Sequence, residues 1–136
     1  MFTINKKYHF YAAHRNPEGG EKCGRIHGHT YEIECDFTFK EKGSSITCLF
    51  SDIDALVEPI LKGHCHWFLL WDEDPLVPVL DMMGEEYKKL PFITSAENLC
   101  VWLATRIINE TDLPLTQITL AETKSSKVIY KPNGKA

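Results

Sequence analysis

The sequence predicts a single α+β domain in which two strands, two helices and two further strands follow one another. Two long segments near the start, residues 2–14 and 27–40, alternate apolar and polar residues, the pattern of strands with one buried face. Segments beginning at Ser51 and near Ser95 repeat apolar residues at helical spacing. Two short alternating segments follow Pro114 and span Lys127–Lys131. The chain therefore has the order ββ, α, α, ββ.

The first two predicted strands carry three histidines on their apolar faces. His14 ends the first strand, and His27 and His29 begin the second at a two-residue spacing. A lone inward histidine is usually a satisfied core residue, but three neutral imidazoles buried without partners carry a high desolvation cost. A metal ion would remove that cost, and three histidines leave a fourth position open, as in catalytic zinc sites. The apolar faces comprise Phe2, Ile4, Tyr8, Phe10, Ala12 and His14, interrupted by Lys6, and His27, His29, Tyr31, Ile33, Cys35, Phe37 and Phe39.

The predicted helices have recognisable boundaries. Ser51 is predicted as the N-cap of the first helix, and Pro59 is expected to kink that helix or end it early. Residues 63–92 lack periodicity and contain three prolines, so irregular structure with one short helical turn is expected there. Thr94-Ser95-Ala96-Glu97 has the spacing of a capping box before the second helix. Turns are predicted over 42–45 and 124–126, and a loop over 15–26.

Composition narrows the class of protein. The chain has 136 residues, 43% of them hydrophobic and 25% charged, with a formal charge of −4. One domain of this length buries a sizeable core. The acidic balance and the lack of a basic block argue against nucleic-acid or membrane partners. No signal peptide or membrane-length apolar run is visible, so a cytoplasmic location with five reduced cysteines is expected.

Two further residues are candidates for chemistry. Cys23 precedes His27 by four residues, and it is interpreted as a thiolate base near the open side of the metal, with Arg25 adding positive charge. A fourth zinc ligand or an idle surface thiol are the alternatives. Glu122 shares a face with the apolar residues of the third strand. Its carboxylate either forms an ion pair at the strand end or accepts a bidentate donor pair from a ligand.

These motifs together resemble the 6-pyruvoyltetrahydropterin synthase / 6-carboxytetrahydropterin synthase family over nearly the whole chain. The matching segments are F-x-A-A-H-R at 10–15, C-x3-H-G-H at 23–29, Asp52 in the D-F position, H-x-x-L at 66–69, S-A-E-N-L at 95–99 and A-E-T at 121–123.

The resemblance implies the tunnelling fold, a ββααββ subunit with an antiparallel sheet and helices on one face. Such subunits assemble into a trimeric β-barrel, and trimers pair into a homohexamer with active sites at subunit interfaces. His14, His27 and His29 would bind Zn²⁺.

The same resemblance implies roles for the remaining motif residues. Cys23 and His66 would be catalytic, the first as proton-abstracting thiolate and the second as proton shuttle. Glu122, a catalytic and substrate-binding residue, would anchor the pterin, assisted by Ser95 and Glu97, although the capping box already explains Glu97. The substrate would be 7,8-dihydroneopterin triphosphate, and the short Cys-x3-His spacing resembles the bacterial 6-carboxytetrahydropterin synthases of deazapurine (queuosine) synthesis.

One departure from the family concerns the proton shuttle. Cys65 replaces the aspartate that usually precedes the shuttle histidine His66. A carboxylate fixes a histidine's tautomer better than a thiol does. Either Asp72 or Asp74 supports His66 instead, or the outcome differs: a 6-pyruvoyl product, a diverged pterin side-chain lyase, or a non-catalytic pterin- or metal-binding module.

Overall fold

The computed structural model describes residues 1–41, 43 and 45–132, so residues 42 and 44 of the predicted 42–45 turn lie outside the described residues. Among the described residues, no helix is both long and apolar enough to cross a bilayer. The elements in chain order are β1 (Phe2–His14), α1 (Gly20–Cys23), β2 (His27–Phe39), α2 (Phe50–Lys62), β3 (Trp67–Trp71), α3 (Leu76–Met83), β4 (Lys88–Leu90), α4 (Ala96–Glu110), β5 (Leu115–Ala121) and β6 (Lys127–Tyr130).

The strands form one six-stranded sheet in the order β4-β3-β1-β2-β5-β6. Strands β1 and β2 pair antiparallel along their full length, from Phe2 opposite Phe39 to His14 opposite His27. Strands β2, β5 and β6 continue the antiparallel pattern. However, β3 is parallel to both β1 and β4. The expected antiparallel pairing therefore holds for β1, β2, β5 and β6, and β3 and β4 add parallel pairs at one edge, which makes the sheet mixed.

The predicted alternation of β1 and β2 is confirmed, and it separates a buried face from a wet face. Alternate residues of both strands pack with α2 and α4 into the core. The interrupting residue, Lys6, lies on the inner face, where its ammonium pairs with Asp54 of α2 at 3.1 Å. The Tyr8 hydroxyl donates to the same carboxylate at 2.8 Å. The largest buried side chains of the core are Phe10, Tyr31, Ile33, Phe37, Ile53, Leu61, Leu69, Leu70, Leu99, Leu103, Ile107 and Ile118.

Helix α2 differs from its prediction at both ends. It begins at Phe50 with Leu49 as its N-cap residue, so Ser51 is inside the first turn and does not cap. The helix also continues past Pro59 to Lys62. Proline removes the hydrogen bond to the carbonyl four residues earlier. Here that carbonyl belongs to the exposed Ala55, where water can replace the missing donor.

The segment 63–92, predicted as irregular, contains β3, α3 and β4. Strand β3 is the apolar run Trp67–Trp71 between two parallel neighbours. Strands of parallel sheets are buried on both faces and therefore show no alternation. Helix α3 follows Pro75 and ends at Gly84, whose φ of 72° is the left-handed conformation that favours glycine at a helix end.

The cap of α4 is shifted by one residue from its prediction. Ser95, and not Thr94, is the N-cap, and its Oγ accepts the backbone N–H of Asn98 at 3.2 Å. Glu97 therefore does not complete a capping box and is exposed in the first helical turn. The predicted strands after Pro114 and from Lys127 are confirmed as β5 and β6.

Candidate metal centre

The register of β1 and β2 brings the three predicted histidines together. His14 is the last residue of β1 and lies opposite His27, the first residue of β2, while His29 lies opposite Ala12. The imidazole ring centroids are 4.6 Å (His14–His27), 5.2 Å (His14–His29) and 4.8 Å (His27–His29) apart. One nitrogen from each ring lies within 4.8 Å of the others. The predicted convergence is confirmed.

Backbone carbonyls fix the orientation of two of these rings. His14 Nδ1–H donates to the Thr94 carbonyl at 2.6 Å, and His27 Nδ1–H donates to the Arg25 carbonyl at 2.7 Å. A carbonyl only accepts, so the proton is on Nδ1 and the Nε2 lone pair is available. The Nε2 atoms of His14 and His29 are buried and have no hydrogen-bond partner among the described residues. Unpaired acceptors that face one point fit a metal ion.

Burial favours the neutral form, which is the form that binds metals, in His14 and His29. His14 is 2% exposed, and burial lowers its pKa to about 4, although the Thr94 carbonyl opposes this effect and the other two histidines add to it. Burial also lowers the pKa of His29, with the Glu122 carboxylate acting in the opposite direction. Neutral imidazole is the ligating form, so protons compete weakly with a metal at neutral pH.

A carboxylate and a phenol adjoin this centre. Glu122, directly after β5, places its two oxygens 3.7 Å from His14 Nε2 and 3.5 Å from His29 Nε2. The Tyr31 hydroxyl is buried, has no partner among the described residues, and belongs to a ring 5.4 Å from that of His29. We did not predict Tyr31 as a site residue, although its parity with His27 and His29 was visible in the sequence.

Cys23 lies four residues before β2 in the sequence but is not part of the group of three histidines. It ends the short helical turn α1, it is exposed, and its thiol is free. Its carbonyl accepts the Asn16 N–H at 2.7 Å, which closes the loop between β1 and β2. Gly19 permits this conformation, because a Cβ there would be 2.5 Å from the Cys23 Cβ. Among the described residues, the three histidines alone form the group, so the alternative of Cys23 as a fourth ligand is not supported.

His66 is not a member of the three-histidine group and lies beside Tyr11 of β1. Its ring is exposed and lies 5.7 Å from the ring of Tyr11, a residue whose parity in β1 is opposite to that of His14. The backbone of His66 has a φ of 66°, and its N–H donates to the Tyr11 carbonyl at 2.6 Å. In return, the Tyr11 N–H donates to Cys65 Sγ at 3.4 Å. One chain therefore does not bring His66 to its own metal centre, and Cys65 binds the backbone of β1.

Neither suggested aspartate is positioned as a support for His66. The Asp74 carboxylate is buried, 2.9 Å from Arg15 Nε, and it also accepts the Leu76 N–H at 2.8 Å. Asp72 is exposed, and its backbone N–H donates to the Leu90 carbonyl. The Asp74–Arg15 pair instead connects the end of β1 with the start of α3. The sequence did not reveal this pair, because its partners are far apart along the chain.

The predicted substrate-binding segment 95–97 lies beside the metal centre. Thr94, which holds His14, directly precedes Ser95, and α4 starts immediately afterwards. The Ser95 hydroxyl is already engaged as the helix cap, and the Glu97 side chain is exposed. The segment is therefore close to the site through its backbone.

Comparisons with known proteins agree with the motifs. A family model described as 6-pyruvoyl tetrahydropterin synthase matches residues 3–133. The 6-carboxy-5,6,7,8-tetrahydropterin synthase of Haemophilus influenzae is 25% identical and covers 96% of this chain and 99% of its own length. The enzyme of that name from Synechocystis is 34% identical over 76 residues, 51% of this chain and 58% of the relative.

The fold is shared with a solved structure of the same group. The 6-pyruvoyl tetrahydropterin synthase of Caenorhabditis elegans superposes with a TM-score of 0.72 and 18% identity, covering 96% of this chain and 94% of that one. The predicted tunnelling fold and the predicted class of enzyme, a lyase, are confirmed. The chain belongs to the 6-pyruvoyl tetrahydropterin synthase family.

Proposed function

We propose that this chain is a zinc-dependent 6-carboxy-5,6,7,8-tetrahydropterin synthase that converts 7,8-dihydroneopterin triphosphate, with release of triphosphate and acetaldehyde. The observation that carries the proposal is the convergence of three imidazoles beside the Glu122 carboxylate. The names of the curated relatives and the short Cys-x3-His spacing support the 6-carboxy product.

His14, His27 and His29 would hold the metal through one nitrogen each. Three imidazole ligands with no sulfur suit zinc and leave a position for substrate. When bound, zinc supplies Lewis acidity, which makes a neighbouring C–H or O–H of the substrate easier to deprotonate. The Thr94 and Arg25 carbonyls keep two of the imidazoles in the required tautomer.

Other residues of the chain would bind the pterin and remove a proton from the substrate. Glu122 would accept two N–H donors from the pterin's guanidine-like edge, a bidentate arrangement that fixes the orientation of the ring. Ser95 and Glu97 would contribute to the same subsite. The exposed Cys23 thiolate would take the proton from the substrate side chain. The hydrogen bond from the Asn16 N–H to the Cys23 carbonyl connects the two ends of the loop that carries this thiol.

His66 would act in the active site of a second copy of the chain. This role is supported by the contact of its ring with Tyr11, whose parity in β1 is opposite to that of His14. Among the described residues, β1 pairs with β3 at Ala12 and Ala13 alone, so the edge of β1 before Ala12 has no strand partner there, and β6 is an outer strand of the sheet. Edge-to-edge pairing of these strands would build the trimeric barrel, and two trimers would form the hexamer.

The setting of the enzyme follows from the same proposal. The product would enter deazapurine (queuosine) synthesis in the cytoplasm, where the five free cysteines stay reduced. The second candidate is a 6-pyruvoyl product or another side-chain cleavage. Cys65 favours that candidate, because it places no carboxylate next to His66.

Product analysis tests the proposal. Zinc-loaded protein is incubated with 7,8-dihydroneopterin triphosphate, and the pterin and acetaldehyde are measured by mass spectrometry. We expect the 6-carboxy product, loss of turnover by a factor of about 10² or more in Cys23→Ala, and normal turnover in Cys48→Ala, a matched free thiol away from the site. A fully zinc-loaded sample without turnover would refute the activity, and a 6-pyruvoyl product would select the second candidate.

A further inference from the structure

The Tyr31 side chain is buried beside the three histidines, and its polar atom is unpaired. The residue is 0% exposed, and its ring stacks on that of Phe10 with centroids 5.0 Å apart. The hydroxyl has no hydrogen-bond partner among the described residues. A buried hydroxyl without a partner costs free energy, so in a native protein such a group generally binds a ligand or a water.

The alternation of β2 places Tyr31 at the metal centre. Tyr31 follows His29 by two residues and therefore lies on the same face of the strand. Its ring meets the rings of His29 and His14 edge-on, with centroids 5.4 and 5.9 Å apart. Burial raises the pKa of the Tyr31 hydroxyl, and the Glu122 carboxylate adds to this effect, so the hydroxyl and the carboxylate are close enough to interact. The hydroxyl is therefore near the side of the site where a ligand would bind.

The Tyr31 hydroxyl differs from its neighbours in hydrogen-bond chemistry. An ionised carboxylate such as Glu122 can only accept hydrogen bonds. Nε2 of His14 is also an acceptor, because the proton of this ring is on Nδ1. A phenol, with an ordinary pKa of about 10, keeps its proton at neutral pH and can donate. An oxygen of a ligand at this place would face acceptors on the histidine and carboxylate sides, and Tyr31 supplies a donor.

We propose that Tyr31 is a substrate-binding residue whose hydroxyl donates a hydrogen bond to an oxygen of the pterin side chain. The inference rests on the proposed function, in which the substrate is a pterin with a hydroxylated side chain. Tyr31 thereby selects pterins that carry an oxygen at this position over pterins that do not. The residue is not a metal ligand in this role.

A comparison of two pterins in two proteins tests the hydrogen bond. Neopterin carries hydroxyl groups on its side chain, and 6-methylpterin carries none. The affinity of the zinc-loaded protein for each is measured by fluorescence titration. We expect the wild type to prefer neopterin, and this preference should fall about tenfold in Tyr31→Phe, because a single hydrogen bond is lost. The affinity for 6-methylpterin should not change.

The outcomes separate this inference from the proposed function. An unchanged preference in Tyr31→Phe, or an equal loss of affinity for both pterins, would overturn the inference and leave the proposed function in place. The same holds for a wild type that binds both pterins equally. A zinc-loaded wild type that binds neither pterin would refute the proposed function and the inference together. Loss of zinc from Tyr31→Phe would show that the phenol is a metal ligand and would also overturn the inference.

Tyr8→Phe is the matched control. Tyr8 lies on the same face of the neighbouring strand β1, but its hydroxyl already donates to Asp54 at 2.8 Å. This variant should keep the wild-type preference for neopterin and unfold at a lower urea concentration. Tyr31→Phe, which removes an unpaired hydroxyl, should unfold at the wild-type urea concentration or above it in metal-free protein. A decrease as large as that of Tyr8→Phe would show that the Tyr31 hydroxyl has a partner without ligand, which contradicts the proposal.

Discussion

Acid should destabilise the folded chain through His64, and the magnitude follows from its burial. Burial lowers the pKa of His64, which is 3% exposed, from 6.5 to about 4. Above pH 6.5 the folded and unfolded chains are both neutral at this residue. Below pH 6.5 the unfolded chain binds a proton at this residue, whereas the folded chain binds it only near pH 4. The free energy of unfolding therefore decreases as the pH falls from 6.5 to about 4.

The difference of 6.5 − 4, about 2.5 pKa units, corresponds to about 3.4 kcal/mol when fully expressed. At pH 4.5 the loss is about 2.5 kcal/mol of unfolding free energy. This is a large part of the roughly 5–15 kcal/mol that stabilises a typical domain. His14, whose pKa is lowered to a similar value, should add a comparable loss in metal-free protein.

Urea unfolding followed by tryptophan fluorescence measures this effect. Metal-free wild type and His64→Gln are compared near pH 7 and pH 4.5, because glutamine can still accept from Arg106, whose Nη1 lies 2.7 Å from His64 Nε2, but does not titrate. We expect the wild type to lose about 2.5 kcal/mol more than the variant between these pH values. His9→Gln, which removes an exposed histidine, should behave like the wild type. If His64→Gln loses as much stability as the wild type, His64 is not held neutral by burial.

Three further substitutions test other parts of the account. Arg15→Met leaves the buried Asp74 carboxylate without its partner, so the unfolding free energy should fall by about 3 kcal/mol. Urea unfolding measures this loss, and a change within experimental error would show that the pair is not buried in solution. Gly19→Ala places a Cβ 2.5 Å from that of Cys23, so turnover should fall while the zinc content is unchanged. If the zinc content fell as much as the turnover, the substitution would have distorted the whole loop. Cys65→Asp keeps an acceptor for the Tyr11 N–H and adds a carboxylate next to the shuttle histidine, so kcat should rise about tenfold. If kcat and the product were unchanged, Cys65 would not be the cause of altered chemistry.

The central strands and the metal ligands could be predicted because they depend on local alternation. In β1 and β2, parity alone decides which face a residue occupies, and pairing over the full strand length then fixes the distances between His14, His27 and His29. The position of Glu122 could be predicted for the same reason, since it continues the inward face of β5. The apolar stripe predicted for α4 is confirmed at Leu99, Cys100, Leu103 and Ile107, which are buried, whereas its first member, Ala96, is half-buried.

The features that were not predicted from the sequence depend on contacts between residues that are far apart along the chain or on the backbone. Strand β3 lies between two parallel neighbours, so its residues do not alternate between apolar and polar. The alternation that identifies a half-exposed strand is therefore missing from its sequence. The face on which His66 lies depends on how the turn after α2 meets Tyr11, a contact between residues 55 positions apart. The tautomers of His14 and His27 are set by backbone carbonyls, which no residue pattern reveals.

The most direct test of the account is the coordination of zinc and its separation from catalysis. X-ray absorption of the zinc-loaded protein should show nitrogen or oxygen ligands including three imidazoles, with no sulfur at about 2.3 Å. Cys23→Ser should give the same spectrum and zinc content while losing turnover. A sulfur ligand that disappears in Cys23→Ser, or a protein that binds no zinc through His14, His27 and His29, would contradict the account.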